Sequence, residues 1–479
     1  TGQIVLHPED AEAKASKGLS VVLVRNETSP DDIRGMKAAK GILTATGGMT
    51  SHAAVVARGM GKPCVVGANA VSIDESVAVV RVRKADGTVA ELSEGASMSI
   101  DGTRGLVYAQ EVPVQPLSGG GQELNRLLGW ADRYRRLRVR ANADRPIDAR
   151  TAREFGAEGI GLCRTEHMFF ETDRLLAVRC ALLAETSQAR APWLRQIAPM
   201  QQADFEGIFR EMQGLPVTIR LLDWPLHEFM PQSEKDLEPV AKALGIHAAV
   251  LGRRVQTLHE SNPMLGHRGI RLGLTHPDIY GMQVQAIIRA ALQCKAEGID
   301  VEPEIMLPLI MSAEEMRKAK VLVDEIVATV FKDVGAQLTY RVGTMLETPR
   351  ACLVADEIAR YAEFCSFGTN DLTQTTLGIS RDDAGRFLPD YVGEGLALLL
   401  NDPFSTLDVE GVGALMRIAV DKARRTRPDI KLGICGEHGG DPLSIAFVEE
   451  LKLDYVSCSP YRVQVARLAA AQPVLKSHG

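Results

Sequence analysis

The residues with chemistry to offer recur in one kind of place, directly after short apolar runs. Arg164-Thr165-Glu166 follows Gly-Ile-Gly-Leu-Cys, Arg220 and Asp223 sit at the end of the run 217–223, and Glu347 follows Gly343-Thr344-Met345-Leu346. Thr369-Asn370-Asp371 follows Ser366-Phe367-Gly368, and Cys435-Gly436-Glu437 closes the run 432–435. Glu347 and Asp371 are hard oxygen ligands suited to Mg²⁺, with coordination positions left for a substrate. Arg164, Arg220 and Arg268 supply permanently charged, planar donor forks for phosphate or carboxylate. Cys435 adds a soft acid. A divalent cation, several arginines and a proton donor suit phosphoryl transfer that involves an enolate. Plainer readings fit each residue singly: a salt-bridged strand-end glutamate, an Arg164–Glu166 ion pair, a buried cysteine acting as a small hydrophobe. The joint placement of five such groups at run ends favours the chemical reading.

A second constellation lies near the start, in Gly47-Gly48-Met49-Thr50-Ser51-His52-Ala53-Ala54-Val55-Val56-Ala57-Arg58. Two glycines allow a tight turn, and small residues then open an apolar helix with His52 in its first turn. Free backbone N–H groups and the helix dipole favour an anion there, so a phosphate carried on His52 would be stabilised. A capped helix start with a bystander histidine fits these residues equally well.

These groups need elements to hold them. From residue 124 onward, eight apolar runs (139–143, 159–163, 217–223, 305–310, 342–346, 364–368, 432–435 and 455–459) alternate with longer amphipathic stretches such as 149–155 and 313–330. Alternating strand and helix signals predict a parallel sheet with crossover helices, and eight repeats predict a closed (β/α)8 TIM-type barrel. In such a barrel the ends of the strands share one mouth, which would gather residues scattered over the chain. Stretches 175–212 and 231–282 are longer than a simple connection needs and read as helical insertions. Residues 1–111 carry short Val- and Gly-rich runs, with Asp101-Gly102 as a hairpin signal, and predict a small α/β domain. Two prolines followed by three glycines within 112–121 have linker composition. The expected organisation is therefore a small domain over 1–111, a linker over 112–123 and the barrel over 124–479.

Length and composition agree. At about 150 residues per domain, 479 residues allow a barrel plus a smaller domain. With 55 basic and 61 acidic residues the net charge is −6, which speaks against a dedicated nucleic-acid partner. No apolar run is long enough to span a membrane. The eight cysteines form no CxxC pair and several lie in apolar runs, which predicts reduced thiols and a cytoplasmic setting. The chain starts at Thr1-Gly2 with neither an initiator Met nor a signal-peptide pattern, and so reads as part of a longer or processed product.

GGMTSHAAVVARGMGKPCVVG resembles the phosphohistidine motif of the PEP-utilising enzymes. GAEGIGLCRTEHMFF, LPVTIRLLD, NPMLGHRGIRLG, VGTMLETPRA, FCSFGTNDLTQTTLGISRDDAGRFLPDY, GICGEHGGDP and YVSCSPYRVQVARLAAAQ resemble the family's barrel motifs. The likeness covers nearly the whole chain. It is nearer to the pyruvate, phosphate dikinase branch than to PEP synthase or the PTS enzyme I. It implies a swivelling phosphohistidine domain before a PEP- and pyruvate-binding barrel that usually forms a homodimer. By motif position His52 would carry the phosphoryl group, and Arg164, Arg220 and Arg268 would hold it in transfer. Glu347 and Asp371 would bind Mg²⁺. Gly368, Thr369 and Asn370 would hold the substrate, and Cys435 would exchange a proton with the enolate. Ser366 and Tyr455 are weaker candidates for supporting Cys435, and Thr50 matches a regulatory phosphorylation position. The resemblance implies the PEP–pyruvate half of a reaction whose ATP and phosphate sites belong to an N-terminal nucleotide-binding part of the ATP-grasp type. Nothing in this sequence resembles that part. A stand-alone PEP-dependent protein phosphotransferase and a non-catalytic PEP-binding paralogue are the alternatives. One departure is Asp223-Trp224-Pro225, where the family usually reads Asp-Pro-Pro.

Overall fold

The computed structural model describes all residues except 29–31, 47–52, 54–56, 58–61, 75–76, 85, 103, 114–120, 170–171, 225, 232, 261, 263–264, 382, 393–395 and 479. The side chains of 33, 121, 122, 172, 173, 227, 228, 234, 386, 477 and 478 also lie outside the described set. Two compact units result: Thr1–Trp130 with Gly378–Thr406, and Ala131–Leu377 with Leu407–Gly479.

In the first unit, β1 (Gly2–Val5), β2 (Val21–Arg25), β3 (Gly41–Thr44) and β4 (Cys64–Val65) pair in parallel. A second, three-stranded antiparallel sheet holds β5 (Val71–Asp74), β6 (Val79–Arg83) and β7 (Val89–Ser93). The hairpin of β8 (Ser97–Asp101) and β9 (Leu106–Tyr108) extends the first sheet, with β8 antiparallel to β1. Helices Pro8–Ser16 and Ile33–Ala38 cover β2 and β1 through Val5, Ala11, Val21, Leu23 and Met36. The expected small α/β fold is present, and the Asp-Gly hairpin lies where its turn residues place it. The linker composition falls mostly on residues outside the described set.

The second unit is built on a closed parallel barrel: β10 (Arg138–Asn142), β11 (Ile160–Arg164), β12 (Pro216–Arg220), β13 (Glu302–Leu307), β14 (Arg341–Leu346), β15 (Phe364–Phe367), β16 (Lys431–Ile434) and β17 (Tyr455–Cys458). Each of the eight expected runs contributes one strand. Strand pleating sends alternate residues to opposite faces. Val139, Ala141, Val217, Ile219, Ile305, Leu307, Cys365, Phe367, Leu432, Ile434, Val456 and Cys458 therefore join the large core shared with the surrounding helices. The intervening residues fill the barrel, where Leu162, Met306, Met345, Phe364 and Cys435 form a separate inner cluster. Helix Ala313–Val334 shows how local sequence sets an element: Ser312 and Glu315 form a reciprocal capping box, and Gly335 ends the helix at φ 72°.

Three differences from the sequence reading have physical causes. The run 217–223 leaves the sheet at Arg220, because Leu221–Asp223 turn away to place Asp223 between two arginines. The run 305–310 ends as strand at Leu307, and Leu309 adopts φ 55°, outside strand geometry. The long stretches are only partly insertions. Ser187–Glu211 and Pro277–Ala296 pack on the barrel core as crossover helices. Thr172–Leu183 and the helices Leu226–Phe229, Glu234–Leu244 and Ala248–Thr257 form a satellite core around Cys180, Leu183, Met230, Val240 and Leu251.

Candidate active site at the barrel mouth

The C-terminal strand ends of the barrel gather the polar residues that follow the apolar runs. Arg220 ends β12 and is buried, with its guanidinium donating to Glu166 and standing 3.6 Å from Asp223. Arg268 forks onto the same carboxylate, Nε to Oδ1 at 2.7 Å and Nη2 to Oδ2 at 2.5 Å. Two arginines are thus fixed by one fully buried aspartate. Burial alone would push Asp223 up, but Arg268 and Arg220 outweigh it and hold the carboxyl below its ordinary range. The ion pair suggested by Arg164 and Glu166 does not form, since Glu166 turns to Arg220. The Arg164 backbone N–H is held by Asp144 Oδ1 at 2.7 Å, and its guanidinium has no hydrogen bond or ion pair among the described residues.

Glu347, directly after β14, is fully buried. Its Oε1 accepts from the Leu309 N–H at 2.6 Å, while its Oε2 has no hydrogen-bond partner among the described residues. Leu309 presents that N–H from the left-handed region, which side chains other than glycine rarely adopt and which marks stored strain. Burial, reinforced by the nearby Asp371 carboxylate, pushes the Glu347 carboxyl up to about 8. Two carboxylates that repel one another, one with a bare buried oxygen, are a donor set that a hard cation would satisfy. No group of three or more His, Cys, Asp or Glu side chains suited to a metal occurs among the described residues. Any cation here would take its remaining ligands from substrate and water.

Gly368 explains why no side chain fits after β15. A Cβ there would stand 2.5 Å from Glu347 Oε2 and 2.6 Å from Met345 Cε. The helix Thr369–Leu377 starts next, placing Thr369, Asn370 and Asp371 in its first turn. Thr369 is buried, with Oγ1 2.7 Å from His438 Nδ1. Asn370 Oδ1 accepts from the Glu437 N–H at 3.0 Å. Asp371 Oδ1 accepts from Gln374 at 3.2 Å and has no ion pair among the described residues.

Cys435 follows β16 and is fully buried. Its N–H donates to the Phe367 carbonyl at 3.1 Å, and its Sγ lies 3.6 Å from the same oxygen. Burial pushes the thiol up to about 11, so it is a protonated acid at neutral pH. Asn142 at the end of β10 donates to the Cys435 carbonyl at 3.2 Å and accepts from Ser457 Oγ at 2.6 Å. Ser366 and Tyr455 are buried inside the barrel, and their hydroxyls make no hydrogen bond of ordinary geometry among the described residues, although Ser366 stands close to both Cys435 and Tyr455.

Arg164, Arg220, Arg268, Glu347, Gly368, Thr369, Asn370, Asp371 and Cys435 all belong to this unit and lie at or beside the C-terminal strand ends. His52 and Thr50 lie outside the described residues. The sequence reading did not single out Asn142, Ser457 or His438. Asn142 carries the same signal as the others, a polar residue closing an apolar run. Trp224 is fully buried, edge-on to Phe169 at 5.7 Å and tilted to Phe229 at 6.1 Å. It packs behind the Arg220–Asp223 turn and takes no polar position from it.

Residues 119–474 match the family model described as the PEP-binding domain of PEP-utilising enzymes, and residues 19–105 match the mobile domain of the same enzymes. The chain belongs to the PEP-utilising enzymes. Among curated relatives it is 52% identical to the pyruvate, phosphate dikinase of Rhizobium meliloti, over 99% of this chain and 52% of the relative. It is 51% identical to the chloroplastic pyruvate, phosphate dikinase 1 of Arabidopsis thaliana, over 99% of this chain and 49% of that protein. The Clostridium symbiosum pyruvate, phosphate dikinase is 49% identical, over 99% and 54%. The chain spans about half the length of the curated relatives it matches. No helix among the described residues is long and apolar enough to cross a membrane.

Proposed function

We propose that this chain carries the PEP–pyruvate half of a pyruvate, phosphate dikinase reaction, with His52 as the phosphoryl carrier. The observation that carries this reading is Glu347: a fully buried carboxylate with one oxygen lacking a hydrogen-bond partner among the described residues, near Asp371 and Arg220, in a PEP-binding barrel. Glu347 and Asp371 would hold Mg²⁺, which when bound supplies positive charge opposite the enolate and phosphoryl oxygens. Arg164, whose guanidinium has no hydrogen bond or ion pair among the described residues, would bind the phosphoryl oxygens. Arg220 and Arg268, held rigid by Asp223 and Glu166, would stabilise charge on the transferring group without reorganising. Gly368 leaves the room, and Asn370 the polar edge, for the carboxylate end of pyruvate.

A ring nitrogen of His52 forms the new N–P bond while the bridging O–P bond of PEP breaks, leaving the oxygen on carbon as the enolate of pyruvate. The Cys435 Sγ–H proton goes to the methylene carbon, giving pyruvate and a thiolate that takes a new proton from solvent. In reverse the thiolate takes a methyl proton. Residues 1–111 would serve as the moving carrier on a 112–123 linker, in keeping with the mobile-domain match. In the whole protein, ATP and phosphate would react at a further nucleotide-binding part, and the barrels would pair as a homodimer. The setting would be cytoplasmic.

Intact-protein mass after incubation with PEP and Mg²⁺ tests this. An acid-labile gain of one phosphoryl group on the peptide holding His52, absent in His52→Ala, is expected. No gain, together with no enolisation of pyruvate, would overturn the reading in favour of a non-catalytic PEP-binding relative.

A further inference from the structure

The floor of the barrel holds a charged group that this chemistry leaves unused. Arg140, pointing inward from β10, is 4% exposed and donates through Nη1 to Glu304 Oε2 at 2.9 Å. Glu304 is itself buried and also accepts from Thr218 Oγ1 at 2.8 Å and from Lys431 Nζ, with Arg341 3.5 Å away. A carboxylate held from four sides fixes the guanidinium it faces. That guanidinium lies over the ring of Tyr455, 4.3 Å from its centroid. Tyr455 also crosses Gly433, where a Cβ would overlap Cζ and its neighbours, the hydroxyl end of the ring. Strand register sets Ser366, Gly433 and Tyr455 side by side across β15, β16 and β17. Cys435, directly after β16, is the next inward residue beyond Gly433. The Tyr455 hydroxyl and Ser366 Oγ are buried and make no hydrogen bond of ordinary geometry among the described residues, and Ser366 stands close to both the Cys435 thiol and the Tyr455 phenol.

We propose that Arg140 is a positioning residue for proton transfer at Cys435: anchored by Glu304, it holds the Tyr455 ring across Gly433 so that the phenol stands beneath the thiol. This rests on the reading of Cys435 as the proton donor. When Sγ–H gives its proton to the methylene carbon, a thiolate forms in an apolar cluster of Leu162, Met306, Met345 and Phe364. The Tyr455 O–H can then donate a hydrogen bond to it, without giving up its proton. The guanidinium secures the ring through a planar cation–π contact, which an ammonium would reproduce only in part.

The test is a double-mutant cycle on the full chain, reading exchange of the pyruvate methyl protons in heavy water with Mg²⁺. Tyr455→Phe and Arg140→Met are each expected to lower kcat about tenfold, with KM for pyruvate within about twofold. The double variant is expected to be no slower than the slower single one, because Arg140 acts through Tyr455. Arg140→Lys should recover part of the rate lost in Arg140→Met. Should Arg140→Met fold poorly, Gly433→Ala displaces the ring without touching a charge, and it should lower kcat and be non-additive with Tyr455→Phe. Losses that multiply in the double variant, or a change in KM alone, would overturn the role of Arg140. Cys435→Ala in the same assay separates the two readings. Full exchange by that variant removes Cys435 from the chemistry, whereas a dead Cys435→Ala with a multiplicative cycle removes only Arg140.

Discussion

Cys435 and Glu347 show how burial turns ordinary side chains into candidates for chemistry. The apolar barrel interior keeps Cys435 protonated, so it is ready to act as an acid and reluctant to act as a base. Cys435→Ala is expected to leave PEP affinity within a few-fold and to cut pyruvate formation by about 10² or more, measured by coupled pyruvate assay. Glu347 makes the opposite bargain: an unpartnered buried carboxylate oxygen costs stability and is kept for what it can bind. Glu347→Gln should abolish Mg²⁺-dependent enolisation while leaving the melting temperature of the metal-free protein no lower than the parent's. A fall of several degrees would mean the carboxylate has a structural task instead.

At the scale of elements, the mouth depends on glycines and turns as much as on charged groups. Gly368 lets β15 pass against Glu347, and one added methyl would meet the carboxylate at 2.5 Å. Gly368→Ala is therefore expected to cost about 1–3 kcal/mol of stability by chemical denaturation and to lower activity through a displaced Glu347. Activity equal to the parent's would show that the helix Thr369–Leu377 can shift to make room. The turn after β13 works in the same way, since strained Leu309 delivers the N–H that orients the other Glu347 oxygen.

Across the whole barrel, charge is layered. The mouth holds arginines and carboxylates, the middle is the apolar cluster around Met306 and Phe364, and the floor is the Arg140–Glu304–Lys431 network. Burial would raise the Glu304 carboxyl, but Arg140 and Lys431 overcome this and hold it down at about 2. The sign follows from linkage. A carboxyl depressed in the folded state stabilises above its unfolded value near 4.5, and that stability is lost as pH falls toward 2. The contribution is on the order of 3 kcal/mol at neutral pH. Urea midpoints followed from pH 6 to pH 2 should fall more steeply for the parent than for Glu304→Gln. Parallel curves would show that the floor network contributes no acid sensitivity.

The sequence alone determined the repeat of apolar runs and helices, hence the barrel, and the polar residues that close each run. It could do so because strand alternation and strand-end placement are local properties of the chain. Family motifs added roles for Arg164, Arg220, Arg268, Glu347, Asp371 and Cys435, although which partner each would choose was not legible. Glu166 lies two residues after Arg164 yet bonds Arg220 at the end of the next strand, and Asp223 clamps Arg220 and Arg268 from a turn that its apolar run disguised as strand. Arg140, Glu304 and Lys431 read as unremarkable charged positions on separate strands. Only closure of the barrel, which brings residues more than a hundred positions apart within hydrogen-bonding distance, decided that they meet, and burial then decided which of them hold their charge.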